Sequence, residues 1–182
     1  MAMAGHVAFL RGMNLGGRRI TNEDLRTACE ACDLTDVATF RASGNVIFEA
    51  PGGIEGEDLS TKIEAGLAGE LGYEVPVFLR SCSQVAEIAS REPFTAAQIE
   101  ASAGKLQVAM LPDAPGRAVR KVALALATKD DPLAIEGSEL FWLPKGGVSD
   151  SDLDLRTLEA ELGPWTMRTM GTVEQIAAKH CA

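Results

Sequence analysis

The chain has 182 residues, 46% of them apolar, enough to fill one large core or two small ones. Its 26 acids outnumber 17 bases, and the net charge of −9 repels nucleic-acid backbone and anionic membrane unless the bases are gathered in one place. The first apolar run, Val7 to Leu10, stops at Arg11, and no later run reaches the length of a membrane span or signal-peptide core, so the expected location is the cytoplasm.

In chain order, the pattern predicts a first strand over 5–11 that empties into RGMNLGGRR, residues 11–19. Three of the 17 bases, Arg11, Arg18 and Arg19, lie there with Gly12, Gly16, Gly17 and Asn14. Between a strand and a helix start, such a segment can hold an anion on backbone N–H groups and arginines. It can equally be a long turn whose glycines take positive φ and whose arginines are solvated. A Walker A loop is excluded, because Arg18 and Arg19 occupy the positions of the required lysine and hydroxyl residue.

A helix follows over 21–33, with Thr21 as N-cap, Asp24 at the capping-box position and Ile20 and Leu25 set as a hydrophobic staple. Its apolar stripe is Leu25, Ala28, Cys29 and Cys32, which assigns CEAC to the core rather than to a redox or zinc site. Strands over 36–42 and 45–50 meet at SGN, where Gly44 suits a tight type II′ turn between antiparallel neighbours. A helix over 56–71 and a strand over 75–80 complete βαββαβ, one sheet with two helices on one face.

After a linking helix near 83–91 and Pro93, the order recurs: strand 105–111, helix 114–127, strands 132–136 and 139–143, helix 150–162, strand 165–169. The segments GNVIF and GSELFW, then DLSTKIEAGL and DLDLRTLEAEL, match at a nearly constant offset. A terminal helix carries Val173, Ile176, Ala177 and His180 at helical spacing. The expected fold class is α+β: two ferredoxin-like (βαββαβ) α/β plaits in tandem. Residues 1–81 form the first subdomain, 82–104 a linking helix and loop, and 105–182 the second subdomain with the terminal helix.

Other chemistry is sparse. Four cysteines, Cys29, Cys32, Cys82 and Cys181, are too few and too irregular for a disulfide framework, so reduced thiols are expected. Asp150, Asp152 and Asp154 with Glu161 imitate a calcium loop, but Leu155 stands where its glycine is required, which leaves acids on a helix's first turn. Two histidines, His6 and His180, cannot build a multi-histidine metal site, and GxSxG and HExxH are absent. Phe9 and Phe48 lack the basic-aromatic context of an RNA-binding plait and are assigned to the core. No cofactor or metal is called for.

The first-half motifs RGMNLGG, TDVATFRASGNVIFE, EVPVFLRS and EPF, with the strand KLQVAML, resemble the bacterial family known as domain of unknown function 1697. That resemblance implies a two-plait α+β structure and carries no established activity. Relatives have a glutamine where this chain has Ala42 and an RSKL-like segment where it reads DSDL, with Asp150 and Asp152 replacing two bases. A TRNWNT-like segment of relatives becomes MRTMGT, keeping Arg168 and Thr172.

The expected site is therefore the first loop, binding a small anionic ligand. Asn14 and the loop amides are its donors, Arg18 and Arg19 its charges, and Arg11, Gly12, Gly16 and Gly17 its shape, with Asn45 as an added donor. An enzyme at the same loop would draw its acid or base from Glu23, Asp24 or His6. A protein partner docking on a sheet edge or face is the third reading; nucleic acid and membrane are disfavoured.

Overall fold

The computed structural model describes residues 5–13 and 16–182. The chain is a mixed α+β protein with two four-stranded antiparallel sheets and seven α-helices among these residues. It divides into two compact units, residues 1–88 with 176–182, and residues 89–175.

The first unit holds β1 (His6–Leu10), α1 (Asn22–Glu30), β2 (Thr35–Thr39), β3 (Asn45–Glu49), α2 (Gly56–Leu71) and β4 (Val77–Ser81), and α3 (Cys82–Ala89) continues directly from β4. Sheet order is β2-β3-β1-β4, with Ala8 of the central strand facing Val46 on one side and Leu79 on the other. Alternation places Ala8, Leu10, Val46 and Phe48 on one face, where they pack with Leu25 of α1 and Leu59, Ile63 and Leu67 of α2. Each such leucine or isoleucine taken from water contributes about 1.5–3 kcal/mol. The two helices close tightly over this face: Gly66 of α2 sits against Cys32, and a Cβ there would overlap the Cys32 Sγ.

The β2–β3 connection differs from the expected two-residue turn. Four residues, Arg41 to Gly44, lie between the bonded pair Phe40 and Asn45. Arg41 (φ 59°) and Gly44 (φ 73°) both take left-handed backbone. A Cβ on Gly44 would lie 3.1 Å from Leu10 Cβ and 3.0 Å from Met13 Cγ, so this glycine is required by close packing as well as by φ.

The second unit begins with α4 (Ala96–Ala101), a helix not expected from the sequence although Thr95 and Gln98 form its capping box. It continues with β5 (Gln107–Met110), α5 (Arg117–Leu124), β6 (Leu133–Glu136), β7 (Glu139–Trp142), α6 (Leu155–Leu162), β8 (Thr166–Thr169) and the start of α7 (Met170–His180), whose residues from Ile176 on belong to the first unit. Sheet order is β6-β7-β5-β8. Here the tight turn does occur: Glu136 faces Glu139 across two residues, with Gly137 at φ 60°. Ala109, Ile135, Leu140, Trp142 and Leu158 form its core.

Three further expectations are corrected. The acids of DSDLD are not a helical first turn: Asp150 closes a 3-10 turn, Val148–Asp150, Asp152 precedes the helix, and only Asp154 caps it. On α5, where the spacing of Val119, Val122, Ala123 and Leu126 predicts one apolar face, Val122 is instead 47% exposed. Cys82 and Cys181 are disulfide-bonded with Cα atoms 4.9 Å apart, while Cys29 and Cys32 stay free. The pairing spans 99 residues and is made by topology, so spacing carried no sign of it. The compact units also part from the expected division, since Ile176–Ala182 belongs with the first unit and the boundary falls at the end of α3. No helix among the described residues is long and apolar enough to cross a membrane.

Candidate functional site

The Gly/Arg loop leaves β1 from a fixed point. Leu10 N–H donates to Gly44 O at 2.8 Å and Arg11 N–H to Pro76 O at 3.0 Å, so the strand's end is held between the β2–β3 connection and the lead-in to β4. Gly12 (φ 72°), Gly16 (φ 65°) and Gly17 (φ 83°) all take left-handed backbone. A Cβ on Gly16 or Gly17 would meet nothing within 4 Å, so these two are demanded by φ rather than by packing. Asn14 and Leu15 lie outside the described residues.

Tyr73, which the sequence reading missed, grips the loop at Met13 and at Arg18. Its hydroxyl donates to Met13 O at 3.3 Å, and the Arg18 guanidinium carbon lies 3.9 Å from its ring centroid. It is the chain's only tyrosine and follows Gly72, the left-handed C-cap of α2 at φ 78°. That Gly-Tyr pair closing a helix is the signal that locates it. Arg18 and Arg19 are exposed, and neither joins a carboxylate among the described residues.

The helix start beside the loop is already occupied. Thr21 Oγ1 accepts Asp24 N–H at 3.1 Å, and Asp24 Oδ2 accepts Thr21 N–H at 3.1 Å and its hydroxyl at 2.7 Å. These bonds, the hydroxyl's first, hold the Asp24 carboxyl below its ordinary value. With Glu23 and Asp24 in the first turn, the α1 N-terminus offers an anion repulsion rather than free amides. Arginines and loop amides are what remains. Ile20, Asp24, Thr27, Ala28, Glu70, Leu71 and Tyr73 line an open hollow of about 370 Å³ at this end of the unit.

The other named residues fall elsewhere. Asn45 is fully buried, and its carboxamide nitrogen donates to Phe40 O and Ser43 Oγ, both at 2.8 Å, which props the β2–β3 connection. His6 is at the opposite end of β1 from the loop, stacked on Phe48 at 5.7 Å with Nδ1 buried and unpartnered. Glu23 and Asp24 are the acids the fold brings next to the loop. Phe9 and Phe48 are both buried and present no stacking platform. Burial, then Cys32 and Glu30, push the Cys29 thiol up to about 12, and burial raises Cys32 as well, so this pair is chemically quiet. Among the described residues no group of three or more His, Cys, Asp or Glu side chains is placed to hold a metal.

The family model described as "protein of unknown function (DUF1697)" matches residues 3–141. The chain belongs to this family. The structure of conserved bacterial protein SP0830 from Streptococcus pneumoniae superposes with a TM-score of 0.70 over 97% of this chain and 98% of that one, at 19% identity. At that identity the likeness shows the fold alone. No curated protein matches by sequence. In this DUF1697 protein the matched span takes in the whole Gly/Arg loop, Tyr73 and the β2–β3 connection, and ends within β7.

Proposed function

We propose that this DUF1697 protein binds a small phosphate-like anion on the loop at residues 11–19. One observation carries the reading: Arg18 and Arg19 stand exposed with no carboxylate partner among the described residues, in a chain that has 26 acids against 17 bases. Where acids are that abundant, two adjacent unpaired guanidiniums are a local reversal of field. Arg18 is also held on the Tyr73 ring, which lowers the entropy lost when it meets an anion. Gly16 and Gly17 leave the backbone open for close approach. The cap on α1 assigns the binding to side chains and loop amides, not to the helix dipole.

Around this site we read a cytoplasmic protein made of two ferredoxin-like plaits from an internal duplication. Strand register supports that reading. Ala8 faces Val46 and Leu79, and Ala109 faces Leu140 and Met167; Val7 faces Arg80 as Val108 faces Arg168. The same element order and the same neighbours recur in both sheets.

A thermal-shift series with inorganic phosphate, nucleotides and carboxylate metabolites tests the binding. Saturation near 100 times Kd adds about 2.7 kcal/mol, a rise of roughly 5–10 °C at this chain length. The rise is expected in the wild type, smaller in Tyr73→Leu, and lost in Arg18→Ala/Arg19→Ala. No response to any compound makes the loop a turn only.

A further inference from the structure

We propose that Cys82 and Cys181 are a redox-responsive clasp that fastens residues 176–182 to the rest of the first unit. The two sulfurs are bonded across 99 residues, both residues are buried, and Ile176–Ala182 clusters with the first unit rather than the second. Besides the disulfide and the fully buried Ile176 side chain, that segment meets the unit at one aromatic ring. The His180 imidazole meets Phe40 edge-on at 6.1 Å and the Lys179 ammonium lies 5.4 Å from the same ring. Both ring contacts are made by exposed side chains, so past Ile176 the disulfide is the strong part of the attachment.

The two cysteines are placed for exchange, and the other two are not. Cys82 is the first residue of α3, capped by Ser81, whose hydroxyl accepts Gln84 N–H at 3.2 Å. A thiolate at that end of a helix is stabilised by the dipole, and a stabilised thiolate is a good leaving group. Cys181 lies just past the last residue of α7, its N–H bonded to Ala177 O at 3.0 Å. Fraying of that single turn uncovers the sulfur without opening the core. Cys29 and Cys32 instead face α2 under the core of the first unit, with thiols raised by burial.

The exchange balances with a dithiol of the thioredoxin class as reductant. One reductant thiolate attacks Cys181 Sγ, the Sγ–Sγ bond breaks, and Cys82 leaves as thiolate and takes a proton. The second reductant thiolate then attacks the mixed disulfide, which frees Cys181 as a thiol and leaves the reductant as a disulfide. Two electrons and two protons have passed to the protein. Oxidised glutathione runs the exchange in the opposite sense. In a reducing compartment, disulfides that do form are characteristically transient or redox-sensing ones, which reconciles this bond with two thiols that stay reduced.

The test uses the full chain, equilibrated in glutathione buffers of stepped redox poise, trapped by a mass-tagged maleimide and followed by hydrogen exchange. The expected result is one reversible two-thiol step at Cys82 and Cys181, with Cys29 and Cys32 unlabelled in the native state. On reduction, amide exchange in 176–182 should rise about tenfold or more, and the melting midpoint should fall by roughly 10 °C, as the release of a long cross-linked loop implies. Cys181→Ser should exchange fast in that segment under both conditions. If that variant does not fold, the wild-type reduction series decides alone. A pair that stays reduced in excess oxidised glutathione, one that resists excess dithiol in the native protein, or reduction that leaves exchange in 176–182 unchanged overturns the proposal.

Discussion

The first connection of each unit leaves the same place in its sheet, yet the two have little in common. Between β1 and α1 run residues 11–21, rich in glycine and arginine; between β5 and α5 run only residues 111–116, Leu-Pro-Asp-Ala-Pro-Gly. Two prolines stiffen the second and no base occurs in it. A strand-to-helix link in this topology therefore needs about half the length that the first unit spends on it. Extra length in a loop costs little stability, and the difference marks the first connection as the place where chemistry was added to a scaffold that closes without it.

The helix layers differ as sharply, and the largest expected effect lies there. In the first unit α2 carries Gly66 against Cys32, whereas α6, Leu-Arg-Thr-Leu-Glu-Ala-Glu-Leu, has no glycine at all. Gly66→Ala drives a methyl into the buried Cys32 Sγ, which donates to Ala28 O at 3.2 Å. Overpacking of this kind costs about 1–3 kcal/mol, and the backbone separation of α1 and α2 must yield to relieve it. Guanidinium unfolding should give the upper part of that range, and Cys32→Ala should recover most of the loss in the double variant. A double variant as unstable as the single one would mean that the constraint is in the helix backbones and not at the sulfur.

Each hairpin has a buried polar prop, and the two props should differ in what they tolerate. In the second unit Asp131 Oδ1 accepts the Trp142 indole N–H at 2.8 Å and the Ser151 hydroxyl at 2.6 Å. Asp131→Ala leaves that indole donor unpaired inside the core, for a loss of about 1–3 kcal/mol. Asp131→Asn keeps an acceptor and should lose less. In the first unit Asn45→Ala removes two donated bonds to Phe40 O and Ser43 Oγ, both only part-buried and so within reach of water, and about 1 kcal/mol is expected. Urea midpoints for the three variants rank the props. Equal losses for Asp131→Ala and Asp131→Asn would show that charge, not the acceptor, holds Trp142.

Much of this scaffold was legible because periodicity reports burial. The continuous runs VAFL and NVIF, buried on both faces, and the Leu25, Ala28, Cys29 spacing, one helix face packed on a core, are direct images of burial, and both sheets lie where those patterns put them. Capping was legible too, since Thr21 and Asp24 satisfy a local geometric rule. What was hidden depends on contacts far apart in sequence. Nothing near Cys82 or Cys181 announces a bond across 99 residues, and nothing near Tyr73 announces that its ring meets Arg18. The surroundings of Asn45 were hidden for the same reason: the acceptors of its amide, Phe40 O and Ser43 Oγ, are set by the fold of the connection.

The smallest expected effect separates the units by pH. Of the two helices between the strands of the first sheet, α1 has a side-chain cap and α2 begins at Glu55 without one; of those between the strands of the second, α6 is capped by Asp154 and α5 begins at Gly116 without one. Bonds from Thr21 hold Asp24 below its ordinary 3.8, and bonds from Thr157, the backbone one first, do the same for Asp154. Both carboxyls are thus more acidic folded than unfolded. Their contribution is complete above pH 3.8 and is lost as pH falls through the lower folded value. Thr21→Ala removes the hydroxyl from one box only, and an N-cap of this kind is worth about 1 kcal/mol. Unfolding at pH 7 and at steps below pH 3.8 should show the gap between variant and wild type narrowing as the acid protonates Asp24, because that loosens the wild-type box as the mutation already has. A gap of equal size at every pH would place the whole cap in the Thr21 Oγ1 bond to Asp24 N–H and none of it in the carboxylate's return bonds to Thr21.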